Sequence, residues 1–118
     1  MVEAFLAAAR SGDFDALLAM LDPDAVVRAD VAAVRAGASS QTRGAEAVAT
    51  LFATRPFDAR LALVDGSPGL LWAPAGRTRA VFTFTFTLRE DKIVDIDLIG
   101  DPARLRELAL IDLWRAGR

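Results

Sequence analysis

The carboxylates Asp95 and Asp97, two residues apart in Lys92-Ile93-Val94-Asp95-Ile96-Asp97-Leu98-Ile99, are the pair in this chain best suited to acid–base work. Residues two apart on a strand share a face, and coupled carboxylates can divide the roles of acid and base. Arg28 and Asp30 show the same spacing. With Trp72 on a facing segment they would form the polar mouth of a pocket; the plainer reading is a surface ion pair beside a packed tryptophan. Arg43, just ahead of an expected helix, could hold an anion near that helix's free amides. What the chain lacks narrows the chemistry further. Histidine, cysteine and tyrosine are absent, which removes disulfides, thiolate chemistry, the usual zinc sites and any step that needs an imidazole. Catalysis would fall to carboxylates, arginines, Lys92, hydroxyls and two tryptophans. No cofactor and no metal is expected.

The face that Asp95 and Asp97 occupy depends on one turn. If Arg89-Glu90-Asp91 is a three-residue loop with Asp91 left-handed, Phe82, Phe84 and Phe86 lie opposite Leu98, Ile96 and Val94. Asp95 and Asp97 then join Thr83 and Thr85, a solvated or interface surface. If the loop has two residues, the phenylalanines meet Asp95, Asp97 and Ile99, and carboxylates among aromatic rings would have raised pKa values. The first register is expected, because it keeps all apolar residues on one buried face. It predicts a hollow or partly filled cavity lined by Phe82, Phe84, Phe86, Ile96 and Leu98, with helices as its lid.

The elements that must position these groups can be read from periodicity. Apolar residues at helical spacing on either side of Ser11-Gly12-Asp13 predict two short helices, the first ended by Gly12 and the second capped by Asp13 and stopped by Pro23. A strand is expected over 25–30, a loop over 31–42 and a third helix over 44–54. Strands over 58–65, 70–73, 77–88 and 92–99 are separated by Gly66-Ser67-Pro68-Gly69, Pro74-Ala75-Gly76 and Arg89-Glu90-Asp91, as in an antiparallel meander. Asp101-Pro102 opens a last helix towards Trp114. Its residues Leu105, Leu108, Ile111 and Trp114 would line one side, and Leu110 and Leu113 another. A helix apolar on two sides predicts a homodimer, with Val81, Thr83, Thr85 and Thr87 supplying the rest of the contact.

Residues 1–118 suit a single α+β domain with helices on one face of a curved sheet. The net charge is -2 and the arginines are scattered, so no basic stripe exists for a nucleic-acid backbone. No membrane span or secretion signal is read, and a cytoplasmic location is expected.

The segments Phe5-Leu6-Ala7-Ala8-Ala9-Arg10-Ser11-Gly12-Asp13-Phe14, Leu21-Asp22-Pro23-Asp24-Ala25-Val26-Val27-Arg28-Ala29-Asp30, Arg43-Gly44-Ala45-Glu46-Ala47-Val48 and Leu63-Val64-Asp65-Gly66 resemble a SnoaL-like domain. More narrowly, they resemble the C-terminal SnoaL-like extension of extracytoplasmic-function sigma factors. The resemblance extends over nearly the whole chain and implies the cone-shaped nuclear-transport-factor-like fold, with a mostly antiparallel sheet. Two motifs depart from the sigma-factor pattern. A glycine run ending in lysine is here Val31-Ala32-Ala33-Val34-Arg35, and Asn-Pro-Asp-Lys-Leu is here Asp101-Pro102-Ala103-Arg104-Leu105. The DNA- and polymerase-binding regions of a sigma factor are not in these residues. SnoaL-like cyclases resemble one another in a histidine–aspartate pair, and the matching aspartate position is Leu98. Neither that dyad nor the tyrosine donor of ketosteroid-isomerase-like chemistry is present.

The expected function is a non-enzymatic, regulatory domain that binds a small apolar ligand or a protein partner such as the transcription machinery. The pocket would be lined by Arg28, Asp30, Trp72, Phe82, Phe84, Phe86, Ile96 and Leu98. Two alternatives stay open: an enzyme of the cyclase, isomerase or hydrolase type using Asp30 with an arginine, and a purely structural dimerisation module.

Overall fold

Gly12 ends the first helix, α1 (Val2–Ser11), by taking the left-handed conformation at φ 69°, where a residue with a side chain would be strained. Its amide bonds back to the last turn, and Asp13 then caps α2 (Phe14–Met20) by accepting the Ala16 amide at 3.1 Å. The computed structural model describes residues 1–54, 59–72, 82–107 and 110–112. After α2 the chain runs through β1 (Leu21–Ala29), α3 (Val31–Arg35), β2 (Gln41–Arg43) and α4 (Ala45–Thr54). It continues through β3 (Ala59–Val64), β4 (Ser67–Trp72), β5 (Phe82–Arg89), β6 (Lys92–Ile99), α5 (Pro102–Glu107) and β7 (Leu110–Asp112). The strands of the described residues form one sheet in the order β2-β1-β6-β5-β4-β3-β7. Only β1 and β6 pair in parallel within it; the other neighbours are antiparallel.

The helices α1, α2 and α4 cover one face of this sheet. Phe5, Leu6, Leu17, Val48 and Phe52 meet Val27, Leu70, Phe84, Ile93 and Ile96 in a single buried cluster. Four aromatic rings run through it edge to face. Phe86 meets Phe5 at 5.4 Å, Phe5 meets Phe52 at 4.9 Å and Phe52 meets Phe84 at 5.9 Å between centroids. Each such contact adds roughly 0.5–1.5 kcal/mol to the area buried, and together they bind α1 and α4 to β5.

The β5–β6 hairpin places its side chains as expected but by another route. Glu90 and Asp91 both have positive φ, 52° and 65°, and Arg89 pairs with Lys92, so the loop has two residues and not three. Continued unbroken, that register would set Asp95 against Phe86. Val94 prevents it, as an extra residue between the Leu88–Ile93 and Thr87–Asp95 pairs. Past this bulge Phe86 faces Ile96, Phe84 faces Leu98, Thr85 faces Asp97 and Thr87 faces Asp95. The phenylalanines therefore share a face with Ile96 and Leu98, one step displaced from the partners expected.

Three further expectations need correction. The last helix does not run to Trp114, because it ends at Glu107 and Leu110–Asp112 pair as a strand with β3. The edge of β3 offers backbone partners that outweigh helical propensity there. The two apolar stripes invoked for a dimer therefore do not exist on one helix, and Leu108, Leu113 and Trp114 lie outside the described residues. The stretch 31–42 is not all loop, since Asp30 starts α3 and Gln41–Arg43 pair with β1. The β3–β4 turn is only Asp65-Gly66, with φ 51° and 85°, so Ser67 and Pro68 belong to the strand. Pro74–Gly76 and Val81 fall outside the described residues.

The bulge makes a deletion prediction. Removing Val94 should leave the hairpin's cross-strand pairs in place and preserve a cooperative thermal transition, with a loss within about 1–3 kcal/mol. Removing Ile96 should bring Asp95 opposite Phe86 and abolish cooperative melting. Circular dichroism of the two variants checks both outcomes, and a Val94 deletion that fails to fold would show that the bulge itself is needed.

Candidate functional site

Parity along β5 and β6 sends Thr85, Thr87, Asp95 and Asp97 to the face opposite the helices, and the parallel register sets Arg28 of β1 beside Asp97. Here the sheet carries an open depression of about 570 Å³. Arg28 and Asp30 line it at the end of β1, Thr85, Thr87 and Asp97 line it from β5 and β6, and Val64 at the end of β3, Asp65 of the turn and Ser67 at the start of β4 line it as well. Arg104 of α5 completes the rim, and Phe86, Leu98 and Ile99 also border it.

Of the residues expected to line a pocket, Arg28 and Asp30 are brought to this depression; Phe86 and Leu98 border it from strand positions whose side chains pack towards the helices. Phe84, 8% exposed, and Ile96, 1% exposed, are instead packed into the core beneath the helices. Phe82 lies at the end of its strand, with its ring against Gly100. A Cβ on Gly100 would stand 2.8 Å from that ring and 3.1 Å from the Ala33 amide, so this crossing requires glycine. The Trp72 backbone pairs with Ala59 and Phe82, and its side chain lies outside what the structure describes. Arg43 is exposed on β2 and does not border the depression. Lys92 donates from its ammonium to the Ala19 carbonyl at the end of α2, where a cation suits the helix dipole.

Asp30 has a structural post. One carboxylate oxygen accepts the Ala33 amide at 2.9 Å and caps α3; the other accepts the amides of Gly100 at 2.9 Å and Asp101 at 3.0 Å. It thus fastens the end of β1 to the β6–α5 connection. Burial pushes its pKa up, but the amides of Ala33, Asp101 and Gly100, with Arg104 nearby, outweigh it and hold the carboxyl below its ordinary value. A carboxylate so satisfied is a poor general base at neutral pH.

Asp97 is the opposite case. Burial, then the neighbouring charge of Asp95, raise its pKa against the pull of Arg28 and Arg104. Arg28 gives its hydrogen bond to Asp95 instead, in a partly exposed ion pair. Asp97 and Arg104 were not among the residues expected to line the pocket. The signal for Asp97 was its spacing from Asp95 combined with the threonine alternation across the hairpin. Nothing local marks Arg104, which the crossover of α5 delivers. Among the described residues no group of three or more potential metal ligands gathers, and no helix is long and apolar enough to cross a membrane.

The two aspartates should respond to pH with opposite sign. Folding lowers the Asp30 pKa, so its bonds contribute stability above the ordinary aspartate value, and this is lost as pH falls through the lowered one. Folding raises the Asp97 pKa, so its ionised form opposes folding above the raised value and ceases to in acid. Asp30→Ala should cost about 1–3 kcal/mol at neutral pH, less in acid. Asp97→Asn should be as stable as the parent or more so at neutral pH, with the difference vanishing in acid. Urea unfolding at both pH values measures this, and a comparable cost for both variants would make Asp97 structural too.

No family profile matches the chain, and no curated protein sequence is significantly similar to it. Solved structures are similar. The Mycobacterium tuberculosis extracytoplasmic function sigma factor SigJ superposes with a TM-score of 0.62 at 23% identity, over 89% of this chain and 43% of that one. The chain thus spans less than half the length of that sigma factor. An NTF2-like protein of unknown function from Cytophaga hutchinsonii gives 0.60 at 16% identity, over 89% of this chain and 90% of its own. A SnoaL-like protein of unknown function from Burkholderia thailandensis gives 0.57 at 16% identity, over 81% and 87%. At such identities the likeness is one of fold, and this chain has the cone-shaped, α+β nuclear-transport-factor-like fold that SnoaL-like proteins share.

Proposed function

We propose that the chain is a non-enzymatic SnoaL-like domain with a regulatory role, which binds a small molecule or a protein partner in the depression on the open face of its sheet. The observation that carries this reading is the division of labour between the two faces. One face is consumed by packing against α1, α2 and α4, whereas the other, on which Val26, Leu71, Thr83 and Ile99 are also buried, presents Arg28, Asp97, Arg104 and two threonines to a concave, open space. Concave sites with a few convergent polar groups are the usual form of ligand sites. The regulatory role draws on the likeness to the sigma factor along 89% of this chain. It makes the transcription machinery the partner class to try first.

A second reading, a carboxylate-based cyclase or isomerase, is favoured by one observation. Asp97 lies in the depression beside Asp95, and burial raises its proton affinity, which is the direction a general base requires. No imidazole, thiol or phenol stands beside it to share the work.

Amide chemical-shift mapping on the labelled chain separates these readings. Purified RNA polymerase core and a panel of small acids, amines and apolar compounds would be added in turn. Perturbation centred on Thr85, Thr87, Asp97 and Arg104, with no product formed, is the expected result. Turnover of a β-keto ester that is lost in Asp97→Asn would replace binding by catalysis. Perturbation confined to residues beneath the helices would move the site to the other face. Light scattering on the same sample tells whether a second copy occupies the open face, as the homodimer proposal has it; a mass near 12.6 kDa rejects that occupant.

A further inference from the structure

The charged groups around the depression differ in how far they are already committed. Asp30 has both oxygens taken by backbone amides. Arg28 is paired with Asp95, and Asp65 has interactions of its own. Asp97 and Arg104 have no such partner, although the charge of Arg104 also acts on Asp30. Among the described residues neither side chain makes a hydrogen bond or an ion pair, and the two do not come within 4.0 Å of each other, yet the charge of Arg104 is felt at Asp97. Two opposite charges that face one space without touching leave a gap suited to a molecule with opposite charges of its own.

From this geometry we infer that the depression takes an amphoteric small molecule of the α-amino-acid class, its ammonium on the Asp97 carboxylate and its carboxylate on the Arg104 guanidinium. The inference rests on the reading of this face as a binding site and adds the ligand's chemistry to it. A simple cation would meet Arg104 and Arg28, and a simple anion would meet Asp97, Asp65 and Asp30, so each half alone is opposed by a like charge. A zwitterion satisfies both groups and brings no net charge. The guanidinium offers a planar fork of donors that matches a carboxylate in two bonds, and the Asp97 oxygens are acceptors suited to an ammonium. The hydroxyls of Thr85 and Ser67 lie within the same lining, and Val64 and Ile99 give it an apolar border. An amino acid with an apolar side chain therefore has a partner for each of its parts.

Three compounds of one skeleton test this: L-phenylalanine, phenethylamine, which lacks the carboxylate, and 3-phenylpropionate, which lacks the ammonium. Each is titrated into the isotope-labelled full chain, and dissociation constants are taken from the amide shifts of Thr85, Thr87, Asp97 and Arg104. L-Phenylalanine should bind roughly tenfold more tightly than either half, the size expected of one charge-assisted contact. Asp97→Asn should reduce phenylalanine to about the affinity of 3-phenylpropionate, and Arg104→Gln to about that of phenethylamine, both variants keeping the native spectrum. Equal binding of all three compounds on this face overturns the amphoteric ligand and leaves the binding reading standing. Shifts confined to residues under the helices overturn both. Absence of any shift up to roughly 10 mM, beyond the weak limit of a specific small-molecule site, also overturns the inference.

Discussion

The structure depends on keeping the side chains of β5 and β6 sorted into two faces. Phe84 and Phe86 must reach Phe5 and Phe52 for α1 and α4 to have anything to pack on, and in that arrangement their strand partners must be Leu98 and Ile96. A slip of one residue would bring Asp95 and Asp97 against the rings and send isoleucine and leucine to the open side. Burying one carboxylate without a partner costs several kcal/mol, a large part of the stability of a domain this size. The tight Glu90-Asp91 turn, taken alone, points the ladder to that wrong register, and the extra residue at Val94 corrects it. The bulge also lets Ile93 and Ile96 both enter the core although they are three apart on a strand.

The same sorting sets the electrostatics of the open face. Asp95, Asp97 and Arg28 are adjacent because parallel pairing of β1 with β6 puts Arg28 level with Asp97. The guanidinium can serve one carboxylate fully, and it serves Asp95. Asp97 is left half-buried, beside a like charge, with no donor among the described residues. Asp30, just past the end of β1, escapes that condition because the chain turns into α3 there and surrounds it with amides. Two aspartates of one chain thus differ in proton affinity through backbone geometry more than through charge count, one completing the fold and the other held against its solvation.

Much of this was legible in the residues themselves. The left-handed stop at Gly12 and the cap at Asp13 have local chemistry that tertiary contacts do not override, and so does the Asp101-Pro102 start of α5, where the Ala103 amide reaches the Asp101 carboxylate at 3.1 Å. The Phe–Thr alternation over 82–87 identified one apolar face without structural help. The turn length of the β5–β6 hairpin was not legible, because Glu90 and Asp91 carry no glycine to announce their positive φ. The strand at Leu110–Asp112 was hidden for a different reason. Leu105-Arg106-Glu107-Leu108 reads as helix by spacing, and only the free edge of β3, distant in sequence, recruits Leu110–Asp112 into the sheet. Asp30 was legible as an important residue but not as a cap, since the small-residue run after it gives a weak helical signal.

The open face also explains why the candidate site could be placed by parity and yet not read residue by residue. Thr85 and Asp97 share a face by strand alternation, so their company was predictable once the face was known. Arg104 arrives from a helix that leaves β6 on its way to the far edge of the sheet, and its position depends on the order β6-β5-β4-β3-β7, which places β7 four strands away from β6. A crossover of that span has to pass the sheet, and the side it takes decides which face receives its side chains. Here that side is the one already bearing unspent polar groups. Residues such as Asp97 and Arg104 can then be tuned for a ligand without disturbing the aromatic core, because the sheet itself stands between the two faces.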